Sequence, residues 1–282
     1  MRYSGRDFTE KELAWIRQLI EDRPEISRKD ISIFFCKKVN WLKPDGGLKD
    51  MSCRVAMLKM EKDGHIILPA PKTKHTKPYK KLRTLWALEQ AEIKKNAGEF
   101  DLILEMVEKR TSALWNEFID RYHYLGYKTL PGAQLRYFVK SEGTILGLLG
   151  FGAAAWKTAP RDIYIGWDRP TRIENLHLVV NNARFLILPW VHSKNLASKI
   201  LSLASKQIVS DWERRYKYRP VLLETFVEKQ RFRGTCYKAA NWHCAGETCG
   251  KGKSGNKNGQ VPIKTVWLYP LCKDFRQRLS SQ

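Results

Sequence analysis

Several side chains of this sequence are of types that do chemistry. Asp162, Glu174, Glu224 and Glu228 are carboxylates of the kind that nucleases and strand-transfer enzymes converge on divalent metal ions. Glu224 stands out because it interrupts the apolar run Val221-Leu222-Leu223 to Phe226-Val227. A charge in such a run must be paired, ligated or turned to an exposed face. Asp162 follows Arg161, and the simpler reading of that couple is an ion pair. Residues 234–242 gather Cys236, Tyr237, Lys238 and Asn241 about a predicted strand-to-helix turn, whose N–H groups could receive a phosphate. Tyr237 or Cys236 would then act as nucleophile toward DNA or an acyl donor. The competing reading packs Tyr237, Ala240 and Trp242 against a sheet.

Other groupings carry weaker chemistry. Cys236, His243, Cys244 and Cys249 lie close together, but they lack the paired C-x-x-C spacing of a zinc site. Gly250-Lys251-Gly252-Lys253-Ser254 resembles a phosphate loop, yet Glu247 stands where its first glycine belongs. A basic loop in which Lys251, Lys253 and Lys257 touch a nucleic-acid backbone explains it better. His123, between Tyr122 and Tyr124, reads as a packed core side chain, with general base as the alternative.

Charge points to the class of partner. The 282 residues hold 51 Lys plus Arg against 29 Asp plus Glu, a formal +22. Such an excess favours a polyanion, because each phosphate neutralised releases condensed counterions. DNA is the expected partner. Membrane is not expected, since neither an apolar run of spanning length nor a basic amphipathic anchor is present. The polar N-terminus has no secretory pattern, so a cytoplasmic protein is expected, with its six cysteines reduced.

The elements that must position these groups fall into two domains. Residues 1–71 read as three short helices and a strand. Leu13, Ile16, Leu19 and Ile20 mark the first helix. Ser27 caps the second, with Asp30 at N3 and Ile31, Phe34 and Phe35 on its buried side. Met51, Val55 and Leu58 form the apolar stripe of the third, followed by an expected strand at residues 65–69. That order suggests a winged-helix-like DNA-binding module whose third helix enters the major groove, with Arg54 reading a base and Lys59 holding phosphate. Residues 72–98 read as a basic linker, carrying Lys72, Lys74, Lys77, Lys80, Lys81 and Arg83, followed by a connecting helix from about position 85 to 95. Residues 99–282 alternate strands and helices, which implies an α/β domain. It includes a hairpin about Ser141-Glu142-Gly143, a strand at 184–188, a helix at 195–216 and strands at 221–227 and 265–269.

Several blocks resemble the DruA family, named for the Druantia anti-phage systems. They are Lys49-Asp50-Met51-Ser52-Cys53-Arg54, Tyr122-His123-Tyr124-Leu125-Gly126, Asn182-Ala183-Arg184-Phe185-Leu186, Glu224-Thr225-Phe226-Val227 and Gly234-Thr235-Cys236-Tyr237. The resemblance implies a bacterial role linked to phage defence or mobile elements, with other defence proteins as possible partners. The order of the hairpin, the 184–188 strand, the long helix, the 221–227 strand and the short helix at Tyr237 is also similar to the GNAT acyltransferases. That likeness implies a mixed α/β (GNAT-like) sheet and a diphosphate-binding turn before the long helix, where this chain reads His192-Ser193-Lys194-Asn195 without glycine.

Three readings therefore stand side by side: an enzyme that cuts or rejoins DNA through a carboxylate-metal or tyrosine site, a group transferase, and a recognition subunit without chemistry. No cofactor is specified beyond a possible divalent metal. Ligands of open α/β folds gather at the carboxyl ends of strands, so a pocket lined by Asp162, Arg184, Glu224, Tyr237 and Asn241 is expected. Arg184 would supply its phosphate-binding charge, and Glu224 or Tyr237 its chemistry.

Overall fold

A computed structural model describes residues 1–72, 83–250 and 261–280. The chain folds as two compact units, Met1–Tyr79 and Lys80–Gln282.

In the first unit a short hairpin of β1 (Arg2–Tyr3) and β2 (Arg6–Asp7) precedes three helices, α1 (Glu10–Asp22), α2 (Arg28–Lys38) and α3 (Asp50–Lys62). Thr9 and Glu12 form a capping box on α1. Ser27 Oγ accepts the Asp30 N–H at 3.1 Å and starts α2. The core gathers Phe8, Leu13, Ile16, Ile31 and Phe35 with Cys53, Ala56, Met57 and Met60 of α3. Two stripes compete along α3, and the expected one loses: Met51, Val55 and Leu58 are exposed. Cys53, Ala56, Met57 and Met60 recur at helical spacing and are buried instead. Phe34 is likewise exposed. The strand expected at residues 65–69 does not form; the β1–β2 hairpin lies before α1, and an antiparallel Leu42–Leu48 bridge spans the turn between α2 and α3. A wing following the third helix is thus absent from the described residues.

The second unit is mixed α/β. No connecting helix forms over 85–95; a single 3-10 turn (Leu85–Ala87) leads to β3 (Ile93–Lys94). Next come β4 (Ile103–Met106), α4 (Ser112–Tyr122), β5 (Gln134–Ser141) and β6 (Thr144–Ala153). Glu142 and Gly143, both at positive φ, make the tight turn of the predicted hairpin. Two short helices, α5 (Ala159–Ile165) and α6 (Arg169–Asn175), precede β7 (Val179–Ile187), β8 (Val191–His192) and the long α7 (Leu196–Tyr216). The chain closes with β9 (Leu222–Glu228), α8 (Thr235–Ala239), β10 (His243–Glu247), β11 (Lys264–Pro270) and α9 (Phe275–Ser280).

The main sheet runs β10-β11-β9-β7-β6-β5-β4. Its neighbours are antiparallel except β7 and β9, which are parallel and joined through α7. That parallel pair is short. Only Val179–Asn181 face Leu222–Glu224, although both strands continue well beyond. A bulge on β7 shifts register between the Gly150–Arg184 and Phe151–Asn182 pairs, bending β7 where the strands part.

Candidate functional site

The parting of β7 and β9 opens a cleft of about 410 Å³ at their carboxyl ends. Phe185, Leu186 and Ile187 of β7 and Thr225, Phe226 and Val227 of β9 all line it. Consecutive strand residues point to opposite faces, so a cleft lined by runs of three passes through the sheet in the gap between the strands. There the facing edges lack ladder partners from one another, leaving backbone donors and acceptors available to a ligand. Tyr122–Leu125 after α4 and Phe232–Tyr237 before and within α8 complete the lining.

On one side of the cleft the polar groups are fastened together. The Tyr237 hydroxyl donates to Asn182 Oδ1 at 3.0 Å, and Thr225 Oγ1 donates to the Asn182 carbonyl at 2.9 Å. Burial pushes the phenol of Tyr237 above its ordinary range, and it likewise raises the thiol of Cys236. Tyr237 is held as a neutral donor and is poorly placed to become an oxyanion nucleophile.

The other side is more polar. His123 Nδ1 accepts the Leu125 N–H at 3.2 Å, so the neutral ring carries its proton on Nε2. Burial and the nearby charge of Arg184 push His123 down to about 4, which keeps it neutral near pH 7. His123 is accordingly a half-buried donor lining the cleft. Arg184 leaves β7 on the α4 side: a Cβ on Gly150 opposite it would lie 3.2 Å from both the Trp115 ring and the Arg184 Cβ. Its Nη1 donates to the Ala183 carbonyl, while its Nε is buried without a partner. No carboxylate pairs with Arg184 among the described residues.

Glu224 and Asp162 belong to a different constellation. Glu224 is fully buried and accepts the Arg161 guanidinium at 2.8 Å and the Ala155 N–H at 2.7 Å. Burial raises its carboxyl above the ordinary range, against the pull of Arg161 and Ala155. Asp162 accepts from Arg161, Arg172 and the Trp167 indole. The two carboxylates thus converge on an arginine. No cluster of three or more His, Cys, Asp or Glu suited to a metal ion occurs among the described residues. Glu224 leaves β9 with Leu222 and Phe226, opposite to Leu223 and Thr225, and its partners lie on α5 and the end of β6. The expected common pocket is therefore corrected. Asp162 and Glu224 are not in the cleft with Tyr237: Glu224 still pairs in register with Asn181 before the strands part, and Arg161 and the Ala155 N–H hold its carboxylate.

Arg184 and Asn241 are also absent from the cleft lining, so Tyr237 alone of the five expected residues lies there. Asn241 is exposed at φ 61 and turns the chain after α8. Glu228 pairs with Arg231 at 3.2 Å, and Glu174 is exposed on α6. Lys59 and Lys72 are exposed, while Arg54 is tied to Asp50 at 2.9 Å within α3. Lys74, Lys77, Lys80, Lys81, Lys251 and Lys253 lie outside the described residues. Sequence reasoning did not single out Asn182, Thr225 or Phe232 as site residues. The available signal was Asn181-Asn182 in a strand whose other residues, Arg184 apart, are apolar, where a polar side chain needs a partner.

The family model of Druantia protein DruA matches residues 59–261, more than half of the sequence, and the chain belongs to the DruA family. No curated protein matches it. Among solved structures it is similar to spermidine/spermine N-acetyltransferase SpeG from Vibrio cholerae, with 11% identity, TM-score 0.40, and 62% of this chain and 96% of that one covered. It is also similar to aminoglycoside acetyltransferase AAC(6')-Ib in complex with coenzyme A, with 13% identity, TM-score 0.41, and 63% and 98% covered. An N-acetyltransferase from Staphylococcus aureus Mu50 follows at 12% identity and TM-score 0.37, with 61% and 99% covered.

The GNAT resemblance implies acetyl-CoA, and the residues before α7 test that implication. The turn from Leu188 to Asn195 has no glycine. Ile93–Lys94 pair in parallel with Val191–His192, and the Ile93 N–H donates to the Trp190 carbonyl. Glu92 Oε1 stands 3.7 Å from His192 Nε2, placing a carboxylate beside the turn. Lys94 pairs with Glu92, and Lys199 Nζ donates to the Ala97 and Phe100 carbonyls. A diphosphate needs open N–H groups and spare cations at such a helix start. The missing glycine and the Glu92 carboxylate oppose such a ligand, while the exposed Lys194 and the buried, unpartnered Ser193 hydroxyl favour one.

Proposed function

We propose that this DruA-family chain is a DNA-binding protein whose first unit holds duplex on the outward face of α3. The observation that carries this reading is the composition of that face. Met51, Val55 and Leu58 are exposed beside the exposed Lys59 and Lys62. A helix of this make-up suits the major groove, where apolar side chains meet thymine methyls and lysines meet phosphate. The formal +22 of the chain supports a polyanionic partner. Arg54 is held by Asp50, and base contact would require it to leave that bond. Membership of the family named for Druantia supports phage defence as the setting, with other defence proteins as partners.

Titration of the full chain against duplex at several salt concentrations tests the reading. Lys59→Gln and Lys62→Gln should each lower the slope of log K against log salt by about 0.9. Unchanged affinity and slope in both variants would overturn it.

A group-transfer activity in the cleft is the second reading, favoured by the opening of β7 and β9 beside Cys236 and Tyr237. With no glycine in the turn before α7 and the Glu92 carboxylate beside it, coenzyme A should not raise the melting temperature. A clear rise would move the transferase reading ahead.

A further inference from the structure

The cleft has the chemistry of a binding site that the duplex reading leaves unused. Its anionic subsite is built by His123 of the lining and by Arg184, which is not itself a lining residue but whose charge acts on the lining residues His123 and Tyr124. Arg184 is half-buried with one backbone hydrogen bond, a buried Nε lacking a partner, and no acid paired to it among the described residues. A guanidinium so placed is costly unless a ligand completes its shell. His123, whose ring proton sits on Nε2 because Nδ1 is engaged, lines the same cleft as a neutral donor. Arg233 also lines the cleft, and Arg231 lies over the Tyr124 ring at 5.1 Å.

Much of the remaining lining is apolar and aromatic. Phe185, Phe226 and Phe232 line it, and Phe232 is 49% exposed at its rim, where its ring meets Tyr124 at 5.4 Å. Beyond Asn181 and Glu224 the two strands no longer pair with each other, and the Asn182 and Arg184 carbonyls accept instead from Thr225 Oγ1 and Asn182 Nδ2. An apolar, aromatic-lined gap with Arg233 in its lining and Arg184 beside His123 matches a planar heterocycle carrying a phosphate. Its volume is within the about 300–1,000 Å³ of small-ligand sites.

We infer that the gap between β7 and β9 takes one nucleotide unit, its phosphate on Arg184 and the Nε2–H of His123 and its base in the slot lined by Phe185, Phe226 and Phe232. The unit can come from a single strand or from a free mononucleotide, which share this chemistry. The site belongs to the second unit and stands whether or not α3 holds duplex.

The test uses the full chain and a single-stranded oligodeoxynucleotide carrying 2-aminopurine, whose emission falls when the base is buried against aromatic rings. Binding should quench the probe. Arg184→Gln should weaken binding about tenfold and lower the salt slope by about 0.7, as expected for one phosphate contact on a single strand. Phe232→Ala, a change at an exposed rim position, should remove most of the quench with the melting temperature unchanged. Lys59→Gln should alter duplex binding alone, so failure of the duplex reading is seen separately. Displacement of the strand by deoxyadenosine monophosphate assigns the site to free nucleotides, and resistance assigns it to the strand; either result leaves the nucleotide assignment standing. Unaltered affinity in Arg184→Gln together with unaltered quenching in Phe232→Ala overturns it.

Discussion

Strand β9 and helix α3 break the rule of apolar inside and polar outside in opposite directions. On β9 a carboxylate, Glu224, is fully buried. On α3 three large apolar side chains, Met51, Val55 and Leu58, are exposed. A buried charge and an exposed apolar row are both departures that call for a cause. The causes differ. Glu224 has its partners within the protein, in Arg161 and the Ala155 N–H, so its anomaly is resolved by the fold itself. Nothing among the described residues of the first unit covers the α3 stripe, so its anomaly is left for a partner. A chemically suggestive residue in an apolar run is thus a weaker guide to function than a surface or cleft whose needs the chain does not meet.

Removing the support of Glu224 should give the largest effect. Arg161→Ala leaves a carboxylate buried with a single N–H, and breaking a buried pair from one side costs about 3–5 kcal/mol. Glu224→Gln should cost less, because the amide keeps an acceptor for Ala155 or Arg161. Thermal or urea unfolding measures both. If Arg161→Ala is nearly neutral while Glu224→Gln abolishes an activity at unchanged stability, the network is functional and the comparison fails.

Tyr237→Phe comes next. It removes the donor to Asn182 Oδ1 inside the core, which costs about 1–3 kcal/mol when the acceptor is left without a partner. The same substitution is the decisive check on a tyrosine nucleophile. A covalent DNA adduct in the wild type that is lost in Tyr237→Phe would show that the hydroxyl leaves Asn182 to do chemistry.

A smaller effect should follow pH through His123. Its folded pKa, about 4, is depressed from the ordinary 6.5 by burial and by Arg184. The unfolded chain therefore binds the proton more readily. The contribution is complete above about 6.5 and is lost as pH falls toward about 4. Discounted for partial exposure, the loss between pH 7 and pH 5 is roughly 1–2 kcal/mol. In His123→Asn, unfolding at the two pH values should differ by less than in the wild type. Equal pH sensitivity in both would place the ring in water.

The contrast also marks how far the sequence could be read. The hairpin about Glu142-Gly143, the long helix after position 195 and the strands on either side of it were legible, because turn chemistry and runs of one period are local signals. The stripe of α3 was misread because Met51-Val55-Leu58 is more apolar than the buried Cys53-Ala56-Met57-Met60, so local hydrophobicity favoured the wrong side. The short α5, α6 and α9 carry too few turns for a period to register. The cleft was partly visible in Tyr237, which lines it. Its shape was not, since it depends on two parallel strands keeping only three register pairs, and strand separation leaves no mark on either strand alone. For the same reason Glu224 and Tyr237 looked like neighbours, although Glu224 still pairs in register with Asn181 before the strands part and Arg161 holds its carboxylate.

The smallest effect on stability should come from α3, and its smallness is the point. Leu58→Gln and Met51→Gln replace exposed apolar side chains, and surface changes of this kind usually stay within about ±0.5 kcal/mol. Met57→Gln, one position away from Leu58 but fully buried, should instead destabilise by about 2–5 kcal/mol, since it places an amide among Leu13, Ile16 and Phe35. If Leu58 and Met51 line a DNA groove, their glutamine variants should keep the melting temperature and weaken duplex binding. The salt slope should stay unchanged, because no phosphate contact is lost, whereas Lys59→Gln should alter the slope. Anisotropy titrations at two salt concentrations separate the two signatures. Melting curves in which Leu58→Gln falls as far as Met57→Gln would mean that α3 buries its other side, and the outward face proposed for DNA would go with it.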